Sequence, residues 1–197
     1  HELWRTLAEA RSRAALARLD RMRLLAALAP GWSLESSARR ALGRLDTARR
    51  ASPWPEAQDA EVQTAAAFAA SLLDTRPAAR SALMERLAIQ GSRRERTLES
   101  IREASAVRRW LAPGRTSGAI DARLSTLREA ALLLAYASAD PPSARRIRRY
   151  AAEWRHSANP IDGTMARRLG LRGPEIGNLL RAARRAALDD RSVDEGW

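Results

Sequence analysis

From Leu3 to Leu188 the apolar residues return every third or fourth position, and no stretch alternates them with polar ones. A period near 3.6 puts such residues on one face of a helix, whereas a strand needs a period of two. The residue types agree. Ala fills about a fifth of the chain, and with Leu, Arg and Glu, all strong helix formers, it dominates the composition. No segment combines Val, Ile and Thr in a strand-like run. The pattern predicts an all-α fold of about ten helices.

Breakers and caps divide the pattern. A first helix runs through Leu3, Leu7 and Ala10. A second carries Leu16, Leu19, Leu24, Leu25 and Leu28 up to Pro30-Gly31. Ser33 is expected to cap a third helix, with Leu34, Ala38, Ala41, Leu42 and Leu45 inward. Pro53-Trp54-Pro55 marks a boundary. Beyond it an Ala-rich helix runs from Val62 to Leu73. Asp74 or Thr75, with Pro77 just inside, opens a short helix through Leu83 and Leu87. Ser92 and Glu95 have capping-box spacing ahead of Leu98, Ile101, Ala104 and Leu111. Pro113 to Gly118 reads as a second linker. One amphipathic helix is expected from Ile120 through Leu134, ended by Asp140-Pro141-Pro142. Ile147 and Tyr150 anchor the next. Asp162 caps a short helix, and Pro174 opens the last, with Ile176, Leu179, Leu180, Ala183 and Leu188 inward. The two breaks divide the chain into residues 1–52, 53–112 and 113–197.

The charge narrows the partners. All 35 basic residues are Arg, against 23 acidic ones, for a net charge of +12. The excess is uneven. Between Pro141 and Arg185 stand Arg145, Arg146, Arg148, Arg149, Arg155, Arg167, Arg168, Arg172, Arg181, Arg184 and Arg185, with only Glu153, Asp162 and Glu175 opposing them. A second cluster is Arg39, Arg40, Arg44, Arg49 and Arg50, offset by Asp46. Clustered guanidinium groups suit a polyanion, since each can fork two N–H donors onto a phosphate. The alternative is a solvated helix face.

No apolar run reaches the roughly 20 residues that cross a bilayer, and no stripe of Trp and Phe suggests a membrane surface. With no Cys there is no disulfide or thiolate site. His1 and His156 have no partners at metal-ligand spacing. No pair of Asp residues is spaced for a two-metal platform, and no phosphate-binding Gly-rich loop with Lys occurs. Asp189-Asp190, near the end of the last helix, reads as solvated. The sequence therefore shows neither a catalytic centre nor a metal or cofactor site. No leader pattern follows His1, and the protein is expected to be cytoplasmic and part of a longer chain.

The most specific local signal is Leu169-Gly170-Leu171-Arg172-Gly173-Pro174-Glu175-Ile176-Gly177-Asn178-Leu179-Leu180. Gly170 can end one helix at positive φ, and Gly173 allows the turn before Pro174 starts the next. Gly177 leaves room for a close backbone. The N–H groups of the first turn, beside Arg172 and Arg181, would suit an anion.

This segment, with Asn159-Pro160-Ile161-Asp162-Gly163-Thr164-Met165 ahead of it, resembles the tail of the bacterial class II tRNA nucleotidyltransferases, the CCA-adding enzyme and poly(A) polymerase family. His1-Glu2-Leu3-Trp4-Arg5-Thr6-Leu7 and the stretch from Arg18 to Pro30 resemble the helices that follow the catalytic head in that family, and Leu87 to Arg93 sits where it has another helix start. Only the Gly-Pro segment is specific. Thr164-Met165-Ala166 departs from the more usual Asp-Leu-Met, and the head's Gly-Ser loop and paired aspartates have no counterpart.

The resemblance implies an elongated neck, body and tail cut after the head. Mg²⁺ and nucleoside triphosphates would belong to that absent head, with no cofactor or metal in this chain. The partner implied is tRNA, gripped at its acceptor–TΨC stem. The expected RNA-binding residues are Arg145, Arg146, Arg148, Arg149, Arg167, Arg168, Arg172, Gly173, Gly177, Asn178, Arg181, Arg184 and Arg185. A helix-hairpin-helix-like DNA-binding module and a non-catalytic helical scaffold are the alternatives.

Overall fold

The computed structural model describes residues 2–9, 11–51, 58–111 and 114–194. Among them are twelve α-helices and no strand. In chain order they are α1 Glu2–Ala8, α2 Ser12–Arg21, α3 Leu24–Leu28, α4 Ser36–Ala51, α5 Ala60–Ser71, α6 Pro77–Arg86, α7 Gly91–Trp110, α8 Ser117–Leu124, α9 Glu129–Ser138, α10 Pro141–Ala152, α11 Gly163–Arg168 and α12 Pro174–Asp194. A 3-10 turn, Trp154–His156, follows α10. The all-α expectation of about ten helices is borne out.

The core is organised around α9. Ala131, Leu132, Leu133, Leu134, Ala135 and Ala137 are all buried, and α4, α5, α7 and α10 pack around this helix. A helix that is apolar on every side belongs inside a fold. Each fully buried Leu contributes about 1.5–3 kcal/mol by leaving water. The Ala-rich α5 lies against α1, α4, α7 and α9. Ala66, Ala69 and Ala70 are fully buried there, so small side chains let the axes approach. Trp32 is fully buried and donates its indole N–H to the Ser71 carbonyl at 3.2 Å. The three stretches marked off by Pro53-Trp54-Pro55 and Pro113 thus share one core. The first break and Pro113 lie outside the described residues.

Two expected helices are each broken. The second splits into α2 and α3 at Arg23, whose φ of 57° is left-handed. The helix expected from Ile120 through Leu134 splits into α8 and α9. Ser125 and Leu127 close the end of α8 by bonding back to Asp121 and Leu124. Both pieces keep the apolar period, which is why the pattern does not reveal the break. The turn lets α9 enter the core while α8 lies against α12.

Capping separates local from distant causes. Asp59, Asp140 and Asp162 cap α5, α10 and α11, accepting from the N–H groups of Val62, of Ser143, and of Thr164 and Met165. Ser33 does not cap α4. Around the start of that helix, Leu34 N–H bonds to Asp20 at 3.1 Å and Ala38 N–H to Asp74 at 2.9 Å. Asp74 is therefore committed to α4, and α6 starts from Arg76 with Pro77 in its first turn. The Ser92–Glu95 capping box does not form either; α7 begins at Gly91, with Gln90 preceding it and no side-chain cap.

Asp140 carries a prediction. The Ser143 N–H above all holds its carboxyl below the usual carboxylate range, against the opposing effect of burial and with lesser help from the Ser143 hydroxyl, its own N–H and Arg44. Arg44 also donates to the neighbouring Ala139 carbonyl. A lowered folded value means the contribution is present above the unfolded value, about pH 4, and is lost as pH falls through the folded one. Asp140→Ala is expected to cost about 1 kcal/mol at neutral pH. In urea titrations, the gap between variant and wild type should close toward strongly acid pH. A gap independent of pH would show that the carboxylate charge contributes nothing.

Candidate nucleic-acid interface

α10 presents the first part of the basic segment. Ala144, Ile147, Tyr150 and Ala151 point inward, which turns Arg145 and Arg148 to solvent and leaves Arg146 and Arg149 half-buried. Burial pushes the Tyr150 hydroxyl up from its ordinary value. Arg149 is engaged by the protein itself. It bonds to Glu153 at 2.9 Å and lies over the Trp154 ring at 5.7 Å.

The Gly-Pro corner forms as the sequence predicts. Gly170, at φ +82°, ends α11 with two bonds: its own N–H to Arg167 O at 2.9 Å and Leu171 N–H to Ala166 O at 3.3 Å. This is a Schellman closure, which needs a left-handed residue there. Gly173 has φ +52° with open space where a Cβ would stand, so conformation rather than crowding selects glycine. Arg172 and Glu175 then bond reciprocally. Arg172 N–H donates to the Glu175 carboxylate at 3.2 Å, and Glu175 N–H to Arg172 O at 3.2 Å. A carboxylate thus already occupies this helix start, which weakens it as an anion site.

Other expected positions resolve differently. Gly177 does not meet a second backbone; the three atoms nearest its missing Cβ belong to the Arg181 guanidinium, from 3.4 Å. Arg181 donates to the Asn178 side chain at 2.7 Å. Arg167 touches the Thr164 hydroxyl at 3.5 Å. Arg168, Arg172 and Arg185 are exposed.

Arg184 is the most fully engaged of the residues expected to meet RNA. Its guanidinium holds Asp121 with two bonds, at 2.7 and 2.8 Å, and donates to Ser157 O at 2.8 Å and Trp154 O at 2.6 Å. Those bonds use four of its five N–H donors. The Asp121 bonds raise its pKa further above the ordinary guanidinium value. Arg184 therefore ties α12 to α8 and to the turn after α10 instead of facing a ligand. Asp121, 5% exposed, was the available signal: an acid on the same face as Leu124 requires a cation. Asp189 is not simply solvated either. Its carboxylate accepts the Gly118 N–H at 2.6 Å, where α8 crosses α12.

Most of the second basic cluster is engaged by other groups of the fold at exposed or half-buried positions. Arg39 pairs with Asp20 at 3.0 Å, and Arg50 with Asp46 at 3.0 Å. Arg49 donates to the Glu9 and Ala8 carbonyls at 3.0 and 3.2 Å, near the end of α1. By contrast, no carboxylate among the described residues pairs with Arg145, Arg148, Arg168, Arg172 or Arg185. What the arrangement offers is a set of solvated guanidinium groups on α10, the α11 end and α12, each able to fork onto phosphate oxygens.

An apolar groove of about 730 Å³ lies elsewhere, bordered by Leu3, Trp4, Leu19, Leu28 and Ile89. Among the described residues no helix is long and apolar enough to cross a membrane. No three His, Cys, Asp or Glu side chains among them converge as metal ligands. Comparison of the chain with family models, with curated proteins and with solved structures gave no match.

Proposed function

We propose that this chain is the tRNA-gripping helical part of a class II tRNA nucleotidyltransferase, holding the acceptor–TΨC stem so that the 3′ end reaches a separate catalytic head. The carrying observation is the different fate of the two arginine clusters. Arg39, Arg44, Arg49 and Arg50 around α4 are engaged by carboxylates and carbonyls of the fold, whereas Arg145, Arg148, Arg168, Arg172 and Arg185 stand in solvent without an acid partner. Cations left unpaired on adjoining elements create a positive field, and a phosphate backbone is the polyanion such a field attracts. The Gly-Pro corner, which carries the family resemblance, holds Arg172 between α11 and α12. Guanidinium groups on rigid helices suit recognition by phosphate and shape, as in an RNA stem whose deep major groove side chains cannot read.

The test is a salt-titrated competition among intact tRNA, duplex DNA and single-stranded RNA. Intact tRNA should win. Replacing Arg145, Arg148, Arg168 and Arg172 with Ala should flatten the dependence of log affinity on log salt by about 0.9 for each duplex phosphate that the variant no longer neutralises. Arg39→Ala should leave that slope unchanged. Equal or tighter binding of duplex DNA would favour a DNA-binding module. An unchanged slope in the fourfold variant would remove these arginines from the interface.

A further inference from the structure

A second cavity, of about 290 Å³, opens where the start of α8 meets α10 and the 3-10 turn. Ile120 and Trp154 form its apolar wall, and Arg115, Arg146 and Ser117 bring the polar groups. None of its lining residues is acidic. Ser117 is 5% exposed, yet its hydroxyl has no hydrogen-bond partner. Its oxygen is not one of the fully buried unpaired polar atoms among the described residues, so it stands open to solvent or a ligand at the cavity. Its neighbours are already committed. The Thr116 hydroxyl accepts the Ala119 N–H at 3.3 Å, and Asp189 takes the Gly118 N–H at 2.6 Å. The Ser117 hydroxyl can donate at the cavity. Arg115 is steadied at the rim by the face of Trp110, 4.9 Å from its guanidinium carbon.

We infer that this cavity binds a single phosphate group, held by the Ser117 hydroxyl and the Arg115 and Arg146 guanidinium groups. Two guanidinium groups, of which Arg146 also keeps a contact within the protein, and one hydroxyl donor line a space without acids, and suit a tetrahedral oxyanion with several acceptor oxygens better than a planar carboxylate. The volume leaves room for the ester substituent of a phosphomonoester or for one phosphodiester link of a nucleic-acid backbone. The inference goes beyond the exposed arginines of the proposed tRNA surface and stands without them.

Amide NMR spectra of the folded protein, titrated with inorganic phosphate at constant ionic strength, test it site by site. Saturating shifts are expected at Arg115 to Ile120 and at Arg146. Ser117→Ala and, separately, Arg115→Gln should each weaken phosphate roughly tenfold or more, as removal of a hydrogen bond to a charged group does. Both variants should keep the wild-type shifts elsewhere, which shows that they remain folded. Absence of saturation, undiminished affinity in both variants, or acetate binding as tightly as phosphate would each overturn the inference. The source of the phosphate is read by adding an acceptor-stem RNA. If the RNA displaces phosphate, the site holds a backbone phosphodiester. If phosphate binds and the RNA does not compete, the site serves a free phosphate ester, and the tRNA reading is judged by its salt slope alone.

Discussion

Arg184→Ala is expected to lower the folding stability by about 3–5 kcal/mol, the usual cost of removing one partner of a buried ion pair. Asp121 has a side chain only 6% exposed, and that of Arg184 is 24% exposed. Removing the cation would strand a carboxylate in the interior and also free the Ser157 and Trp154 carbonyls. The effect should appear as a large shift of the urea midpoint with little change in slope. Arg184→Met combined with Asp121→Leu should recover much of the stability, because the desolvated charge is then gone. It should not recover all of it, since the two carbonyls stay without their donor. A decrease under about 1 kcal/mol for the single variant, the size of an exposed ion pair, would show that the pair is not a buried clamp.

Gly118→Ala should also be strongly destabilising. A Cβ there would stand 2.5 Å from the Arg185 carbonyl oxygen and 2.8 Å from the Arg185 Cα. Those are backbone atoms of α12, so relief requires the two helices to separate. Overpacking of this kind costs about 1–3 kcal/mol, occasionally more. Separation would also stretch the 2.6 Å bond from Gly118 N–H to Asp189. Gly177→Ala is the matched control. Its nearest neighbour is the far end of the Arg181 side chain at 3.4 Å, which can swing away. Replacing a helix-interior glycine then gains about 0.5–1 kcal/mol from the reduced freedom of the unfolded chain. Thermal or urea unfolding of the two variants should therefore move in opposite directions. Equal effects would mean that the α8–α12 crossing is looser than its geometry.

The contrast between these glycines shows where reading the chain in one dimension fails. Both lie in helical stretches rich in small residues. Gly177 belongs to the more specific motif, yet of the two only Gly118 meets a second backbone. The same holds for the arginines. Arg184 and Arg185 are adjacent in sequence, and one is clamped inside while the other is exposed. A helix turns each successive residue by about 100°, so neighbours face different surroundings. Which surroundings they meet depends on Asp121, which lies 63 residues away from Arg184 in the chain.

Part of what depends on a few consecutive residues was readable from the chain. The apolar period and the Ala, Leu and Arg content specify helices. Asp162 caps α11 from within three residues, as expected, and Gly170 and Gly173 supply the left-handed corner, whereas the expected Ser33 and Ser92–Glu95 caps do not form. Each of these causes acts within about one turn of the chain. Which charges stay free was settled only by packing. Packing placed Asp20 and Asp74 at the start of α4, broke the expected helices at Arg23 and before α9, and buried α9 among four neighbours. It engaged Arg39, Arg44, Arg49 and Arg50 with partners in the fold while leaving Arg145 and Arg148 of α10 and Arg185 of α12 in water. Pairing energies act through space and fall with distance, so the partner of a guanidinium group is set by helix packing rather than by its place in the sequence.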